Sequence, residues 1–393
     1  MAGTDTAASH RMTASLDTLE TPSLLIDAGR MRANIKRMAE RISAVGGPGT
    51  LLRPHVKTHK SAEVLNAVMA AGNLAGITVS TLAEAEYFLA VGVTDILYAV
   101  GITPDKLGKV AALQSRGADM KIILDSAAMA EAVITRATAT GVRFKVLIEL
   151  DVDGHRGGVD PRLDDLMTIA QILNAGAGTE LVGVMTHAGG SYDAASDAAL
   201  RAAAQNERDL SVLAATRLRA AGLPCPMVSI GSTPTALHVE NLDGITEVRA
   251  GVYTFFDLVQ AGIGVCAVDD IALSVLATVI GHQADKGWTI VDAGWMAMSR
   301  DRGTERQAVD QGYGLVTDVD GRPLPGLIMG SANQEHGILM MRAGDPSPMP
   351  NLAIGSQVRI LPNHACATAA QHGHYHVIEA GHVAARWSRL RGW

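Results

Sequence analysis

The chain has 393 residues, 48% hydrophobic and 19% charged, so it carries ample material for a packed core and lacks the composition of a disordered protein. Lysine and arginine number 33 against 40 acidic residues; a net charge of −7 with no long basic run argues against nucleic acid as a partner. The length predicts two domains, and three widely spaced cysteines, Cys225, Cys266 and Cys366, predict a reducing cytoplasm and no disulfide framework.

In chain order, residues 1–20 mix Thr, Ser, His and Asp without an apolar stretch and read as a disordered leader, not a signal peptide. No segment reaches the roughly 18 apolar residues of a membrane helix, so no membrane is expected as a partner. Residues 21–28 predict a short strand joining the second domain, with Asp27 capping a helix that carries Met31, Ile35 and Met38. Eight apolar runs then alternate with helical stretches: Leu51-Leu52, Gly76 to Val79, Ile96 to Val100, Lys121 to Leu124, Phe144 to Leu150, Leu181 to Met185, Met227 to Ile230 and Ile245 to Val248. Eight strand-helix units without an early Gly-x-Gly-x-x-Gly predict a (β/α)8 barrel of the TIM type over 29–266. Past Ala267 the runs shorten between Gly and Pro turns, which predicts a mostly β domain over 267–393.

In such a barrel the chemistry sits at the C-terminal ends of the strands, and the polar clusters of this sequence fall there. Arg53-Pro-His-Val-Lys-Thr-His-Lys60 follows the first run and brings His55 and Lys57 to the barrel mouth, where desolvation would lower a lysine's pKa and leave a neutral amine able to form a Schiff base. A basic loop after a strand is the plain alternative. Arg156 stands in a glycine-rich turn after the fifth run, and Thr186-His187 closes the sixth, with Tyr192 shortly beyond. His187 reads equally as a structural rim residue or a catalytic one. Gly231-Ser-Thr-Pro-Thr235 offers accessible N–H groups and hydroxyls to a phosphate, though ordinary loops share this composition; Tyr253 follows the eighth run. In Asn363-His-Ala-Cys366, alternation on an extended chain would send His364 and Cys366 to one side. By themselves they read as a buried cysteine beside a histidine.

Pro54-His-Val-Lys-Thr-His-Lys60, Gly231-Ser-Thr-Pro-Thr235 and His364-Ala-Cys366 together resemble the fold-type III pyridoxal-phosphate enzymes acting on D-3-hydroxy amino acids, the D-threonine aldolase and D-serine dehydratase family. Within it the resemblance is nearest to the dehydratases of D-threo-3-hydroxyaspartate, and it runs from about Thr21 to Trp393. It implies an alanine racemase-like fold, and a homodimer with the active site near the partner. It also implies pyridoxal 5'-phosphate on Lys57, with Arg156 at the phenolic oxygen, Gly231, Ser232 and Thr233 at the phosphate and Tyr253 nearby. Thr186, Tyr192, His55 and His187 join this set as cofactor-contact or catalytic candidates. The resemblance further implies a divalent metal on His364 and Cys366; a thiolate favours zinc, with manganese, cobalt or magnesium as alternatives. The implied reaction is dehydration of a D-3-hydroxy amino acid, of D-threo-3-hydroxyaspartate or D-serine type, to a 2-oxo acid and ammonia. Aldol cleavage to glycine and an aldehyde is the nearest alternative, and a non-catalytic pyridoxal-phosphate carrier the alternative of another class.

Overall fold

A computed structural model describes residues 14–393, and the chain divides into two compact units. One holds Asn34–Tyr253 and Ile263–Val265, with the last two residues; the other holds the described residues up to Ala33, Thr254–Gly262 and Cys266–Arg391.

The unit that begins at Asn34 is built on eight parallel strands. Strand β1 (Ser23–Asp27) and helix α1 (Ala28–Gly46) come first in the chain, and the Asp27 carboxylate accepts the Arg30 N–H at 2.9 Å, which is the predicted cap. The eight strands are β2 (Leu51–Pro54), β3 (Ile77–Val79), β4 (Asp95–Gly101), β5 (Asp119–Leu124), β6 (Phe144–Leu150), β7 (Thr179–Thr186), β8 (Met227–Ile230) and β9 (Glu247–Ala250), one for each apolar run. They pair in the order β2-β9-β8-β7-β6-β5-β4-β3. Parallel bridges Leu52↔Leu74 and His55↔Thr78 join β2 to the β3 side and close the ring. Helices α2 (Ala62–Met69), α3 (Leu82–Ala90), α4 (Leu107–Ser115), α5 (Ala127–Thr140), α6 (Asp165–Ala175), α7 (Asp197–Ala220) and α8 (Thr233–His238) follow successive strands. Thr81, Ser126 and Ser196 cap α3, α5 and α7 by accepting the N–H of Glu84, Met129 and Ala199. The barrel therefore aims its strand ends at the polar clusters found in the sequence.

Its strands also carry charge that the run-by-run reading did not assign. Arg53 is buried between Glu247 at 2.8 Å and Asp95 at 2.9 Å, and Asp95 also takes Lys121 at 2.7 Å. Arg249 donates to Ser229 Oγ, which in turn donates to Glu247. Beside these pairs Leu97, Ile123, Leu147, Val182 and Met185 form an apolar cluster.

The other unit is an antiparallel ring with an extension. After the short α9 (Leu258–Gly262), strands β10 (Leu273–Gln283), β11 (Trp288–Val291), β12 (Gly314–Thr317), β13 (Pro323–Ala332), β14 (Gly337–Met341) and β15 (Gln357–Pro362) pair in the cycle β10-β15-β12-β13-β14-β11 and back to β10. Beyond β10 the sheet continues through β1, β16 (His374–Glu379) and β17 (His382–Ser388). The short α10 (Trp295–Met298) follows β11, and α11 (Ala365–Ala370) follows β15. Residues 1–13 of the expected disordered leader lie outside the described residues. Residues 14–20 are ordered: Ala14 bridges Val383, and Leu16 packs with Leu25, Leu276 and Ile378. Two leucines in an otherwise polar stretch supply the apolar contact that composition alone had averaged away.

Candidate active site

At the barrel mouth the two lysines of the basic octapeptide part company. Lys60, at φ 45°, pairs through Nζ with the fully buried Glu84 at 3.0 Å. Lys57 is exposed and meets no carboxylate among the described residues, so its amine is the one left for chemistry. Lys57 lies exposed in the turn that follows β2, so the expected burial is not found. His55 accepts the Lys57 backbone N–H at 3.4 Å, and its proton affinity lies well below the ordinary imidazole range through burial first and then the charges of Lys57 and Arg249.

His187 lies at the end of β7. Its Nδ1–H donates to the Gly231 carbonyl at 2.8 Å, which leaves Nε2 bare in the neutral ring. Burial, together with the charges of Lys57, Arg156 and Arg249, pushes its pKa down to about 3. The Tyr192 ring lies 6.3 Å from it, centroid to centroid. Thr186 serves the scaffold rather than the mouth: its hydroxyl donates to the Leu150 carbonyl at 2.9 Å, and its own carbonyl accepts from Arg249.

The loop after β8 divides its labour. The Gly231 N–H goes to Glu207, and Ser232 spends its N–H and hydroxyl in a capping box with Thr235 and a 2.9 Å contact to Ser191. Thr233 Oγ1 and Tyr253 Oη are buried and have no hydrogen-bond partner among the described residues. Two orphaned hydroxyls after β8 and β9 are what a phosphate would satisfy, so these residues fit the cofactor. Arg156 is 58% exposed and reaches Glu149 at 3.4 Å, while burial raises the Glu149 pKa against the pull of Arg156.

In the other unit His364 caps α11 and Cys366 stands within its first turn. A turn into a helix, not strand alternation, brings them together. The His364 Nδ1–H donates to Asp301 at 2.7 Å. Burial would depress this imidazole's proton affinity, but bonds with Asp301 and Cys366 carry its pKa up to about 11. Asn363 fixes the approach by accepting from Thr304 and donating to the Asp301 and Gly312 carbonyls. Among the described residues no three His, Cys, Asp or Glu side chains are placed to hold a metal. The arrangement does fit an open two-ligand site, since a carboxylate on Nδ1 orients a histidine whose Nε2 binds metal. Asp292, in contrast, is occupied by Thr21 Oγ1 at 2.5 Å and the Thr278 N–H at 2.8 Å, and is structural.

Sequence reasoning missed Arg249, Glu207 and Asp301. Glu207 had a signal: it interrupts the apolar stripe of α7 between Ala204 and Ser211. Asp301 lies in a loop with no pattern to flag it.

Residues 26–259 match the alanine racemase N-terminal domain family, and residues 272–378 match the putative serine dehydratase domain family. Over 384 residues, 96% of this chain and 99% of the relative, the sequence is 56% identical to a D-threo-3-hydroxyaspartate dehydratase of Delftia sp. strain HT23. The chain belongs to the alanine racemase N-terminal domain family and, over nearly its whole length, to that of the D-threo-3-hydroxyaspartate dehydratases. It is accordingly a lyase. Two solved variants of D-threo-3-hydroxyaspartate dehydratase, one histidine-to-alanine and one cysteine-to-alanine in the metal-free form, are each 55% identical to it, with TM-scores of 0.94 and 0.92. They cover 97% and 96% of this chain and 98% and 100% of their own. A D-threonine aldolase of Arthrobacter sp. is 28% identical over 94% of this chain and 92% of its own, so the family fold also accommodates carbon–carbon cleavage. Among the described residues no helix is long and apolar enough to cross a membrane.

Proposed function

We propose that this lyase dehydrates a D-3-hydroxy amino acid, with D-threo-3-hydroxyaspartate the first substrate to try, giving a 2-oxo acid and ammonia. The observation that carries the reading is the pair of unlike sites: an unpaired lysine with orphaned hydroxyls at the barrel mouth, and a histidine–cysteine pair oriented by Asp301. When bound, pyridoxal phosphate stores the electron pair left at Cα, and a divalent metal lets the 3-hydroxyl depart as hydroxide.

The residues of the chain do the rest. Lys57 Nζ would hold the cofactor covalently, and its amine, when free, would be the base for the proton at Cα. Thr233 Oγ1 and Tyr253 Oη donate to the phosphate, with Gly231 and Ser232 shaping the loop. Arg156 would supply a cation to the phenolic oxygen. His55 and His187 remain neutral, which keeps them from competing as cations for the substrate carboxylate. His364 Nε2 and the Cys366 thiolate hold the metal. In support of that pair, the two relatives' variants alter a histidine and a cysteine two positions apart, the spacing of His364 and Cys366, and the cysteine variant is metal-free. Thiolate ligation favours zinc. We also propose a homodimer and, from three cysteines that form no disulfide, a cytoplasmic location.

The test is to incubate the protein with pyridoxal phosphate, zinc and a panel of D-3-hydroxy amino acids, and to measure ammonia, 2-oxo acid and glycine together. Ammonia and 2-oxo acid in equal amounts support dehydration. Glycine in their place means that the chain is an aldolase.

A further inference from the structure

Glu207 is fully buried on the inner stripe of α7. A carboxyl group withdrawn from water persists where specific bonds hold it. Burial raises its pKa, and bonds from Thr235, Ala188 and Gly231 oppose that rise. Its Oε1 accepts two backbone N–H groups, those of Ala188 and Gly231, each at 3.0 Å. Those groups belong to the loops leaving the neighbouring strands β7 and β8. The circuit closes through His187, the residue before Ala188, whose Nδ1–H donates to the Gly231 carbonyl. Both polar groups of the Gly231 backbone are thus committed. No side chain can replace this glycine, since at φ +148° a Cβ would fall 1.9 Å from the Arg249 carbonyl oxygen.

We propose that Glu207 is a positioning residue for the lyase reaction: by holding Ala188 and Gly231 on one oxygen it fixes the tautomer and facing of His187 and the setting of the Thr233 hydroxyl. The inference rests on the reading of the barrel mouth as a pyridoxal-phosphate site. Without an acceptor at this point two buried N–H donors go unsatisfied, and the loops shift to relieve them. The His187 ring then loses its fixed carbonyl partner, and the phosphate loses a seat of fixed shape.

The full-length protein tests this in three forms: wild type, Glu207→Gln, which keeps shape and acceptor, and Glu207→Met, which keeps length without an acceptor. Pyridoxal-phosphate affinity is read by equilibrium dialysis, and the His187 tautomer by imidazole nitrogen chemical shifts in cofactor-free protein. Glu207→Gln should match wild type on both readouts. Glu207→Met should lose about tenfold or more in affinity, the effect of even one unsatisfied buried donor, and its His187 shifts should leave the Nδ1-protonated pattern. A lower melting temperature with wild-type affinity and tautomer would mean that Glu207 is merely structural, and overturns the proposal. Should Glu207→Met not fold, Glu207→Asp, one methylene short of the two N–H groups, faces the same criteria. If wild type itself does not bind the cofactor, the reading of the mouth fails, while the tautomer still decides the role of Glu207.

Discussion

His187 in the barrel and His364 in the β unit are driven in opposite directions. Burial and three cations push His187 down to about 3, whereas Asp301 and Cys366, working against burial, lift His364 to about 11. The difference is one of counter-charge. At the barrel mouth Lys57, Arg156 and Arg249 all bear on the same ring, so the group that completes the site is an anion. Around His364 a carboxylate and a thiol flank one imidazole and favour its protonated form, so a metal bound there would have to displace that proton. In the proposed function a phosphate-bearing cofactor would meet the cationic mouth, and a divalent metal would take the place of the His364 proton.

The sharpest way to break the barrel half of that comparison is Lys57→Ala, which should lower turnover about a thousandfold or more, the order of loss for a positioned proton-transfer group. Borohydride reduction of the holoenzyme followed by peptide mapping should label Lys57. Label on Lys60 would sink the assignment, since Lys60 is already committed to Glu84. The β-unit half is tested next. Chelation should abolish elimination while the cofactor stays bound, and added zinc should restore it. Cys366→Ser should lower metal content, and Asp301→Asn should weaken metal affinity about 10- to 100-fold by freeing the His364 ring. A Cys366→Ser protein with full metal content would return the cysteine to the role of core filler.

Much of this was legible before any coordinates. The alternation of short apolar runs with capped helices placed all eight barrel strands, because parallel strands buried on both faces must be apolar. The polar residues terminating those runs then marked the mouth. The site was less legible where its contacts depend on neighbours distant in sequence. Thr186 and Ser232 have suitable hydroxyls, yet Leu150 and Thr235 occupy them. Arg249 carries no sequence signal of its role, because only closure of the ring puts Ser229, Glu247 and the Thr186 carbonyl around it. His364 and Cys366 were paired by a rule for extended chain that does not hold at a helix start, although they still meet.

Acid should separate the two regions further in the cofactor-free protein. His187, at about 3, and His55, also lowered, both lie below the ordinary imidazole range, so as pH falls through that range the unfolded chain binds the more protons and stability falls. Each group contributes a slope of about 1.4 kcal/mol per pH unit within its window. Denaturant titrations from pH 7 to pH 4 should recover that slope, and His187→Gln should remove one group's share. A slope unchanged in His187→Gln would mean that the ring is not held neutral at the mouth.

The smallest expected effect falls on Arg156. Its guanidinium is more than half exposed and its contact with Glu149 is long, so Arg156→Ala should change stability by no more than about 0.5 kcal/mol. It should also leave most of the cofactor bound, because in the proposed site the phosphate would be held elsewhere and Lys57 would supply the covalent link. What should change is the titration of the bound cofactor. A cation beside the phenolic oxygen favours the anion and holds its pKa down, so removing the cation should raise the midpoint of the absorbance titration by about one unit or more. Arg156→Lys, which restores charge without the planar fork, should recover part of that shift. A titration identical in all three proteins would make Arg156 a surface residue of a glycine-rich turn, and the positive character of the mouth would then rest on Lys57 and Arg249 alone.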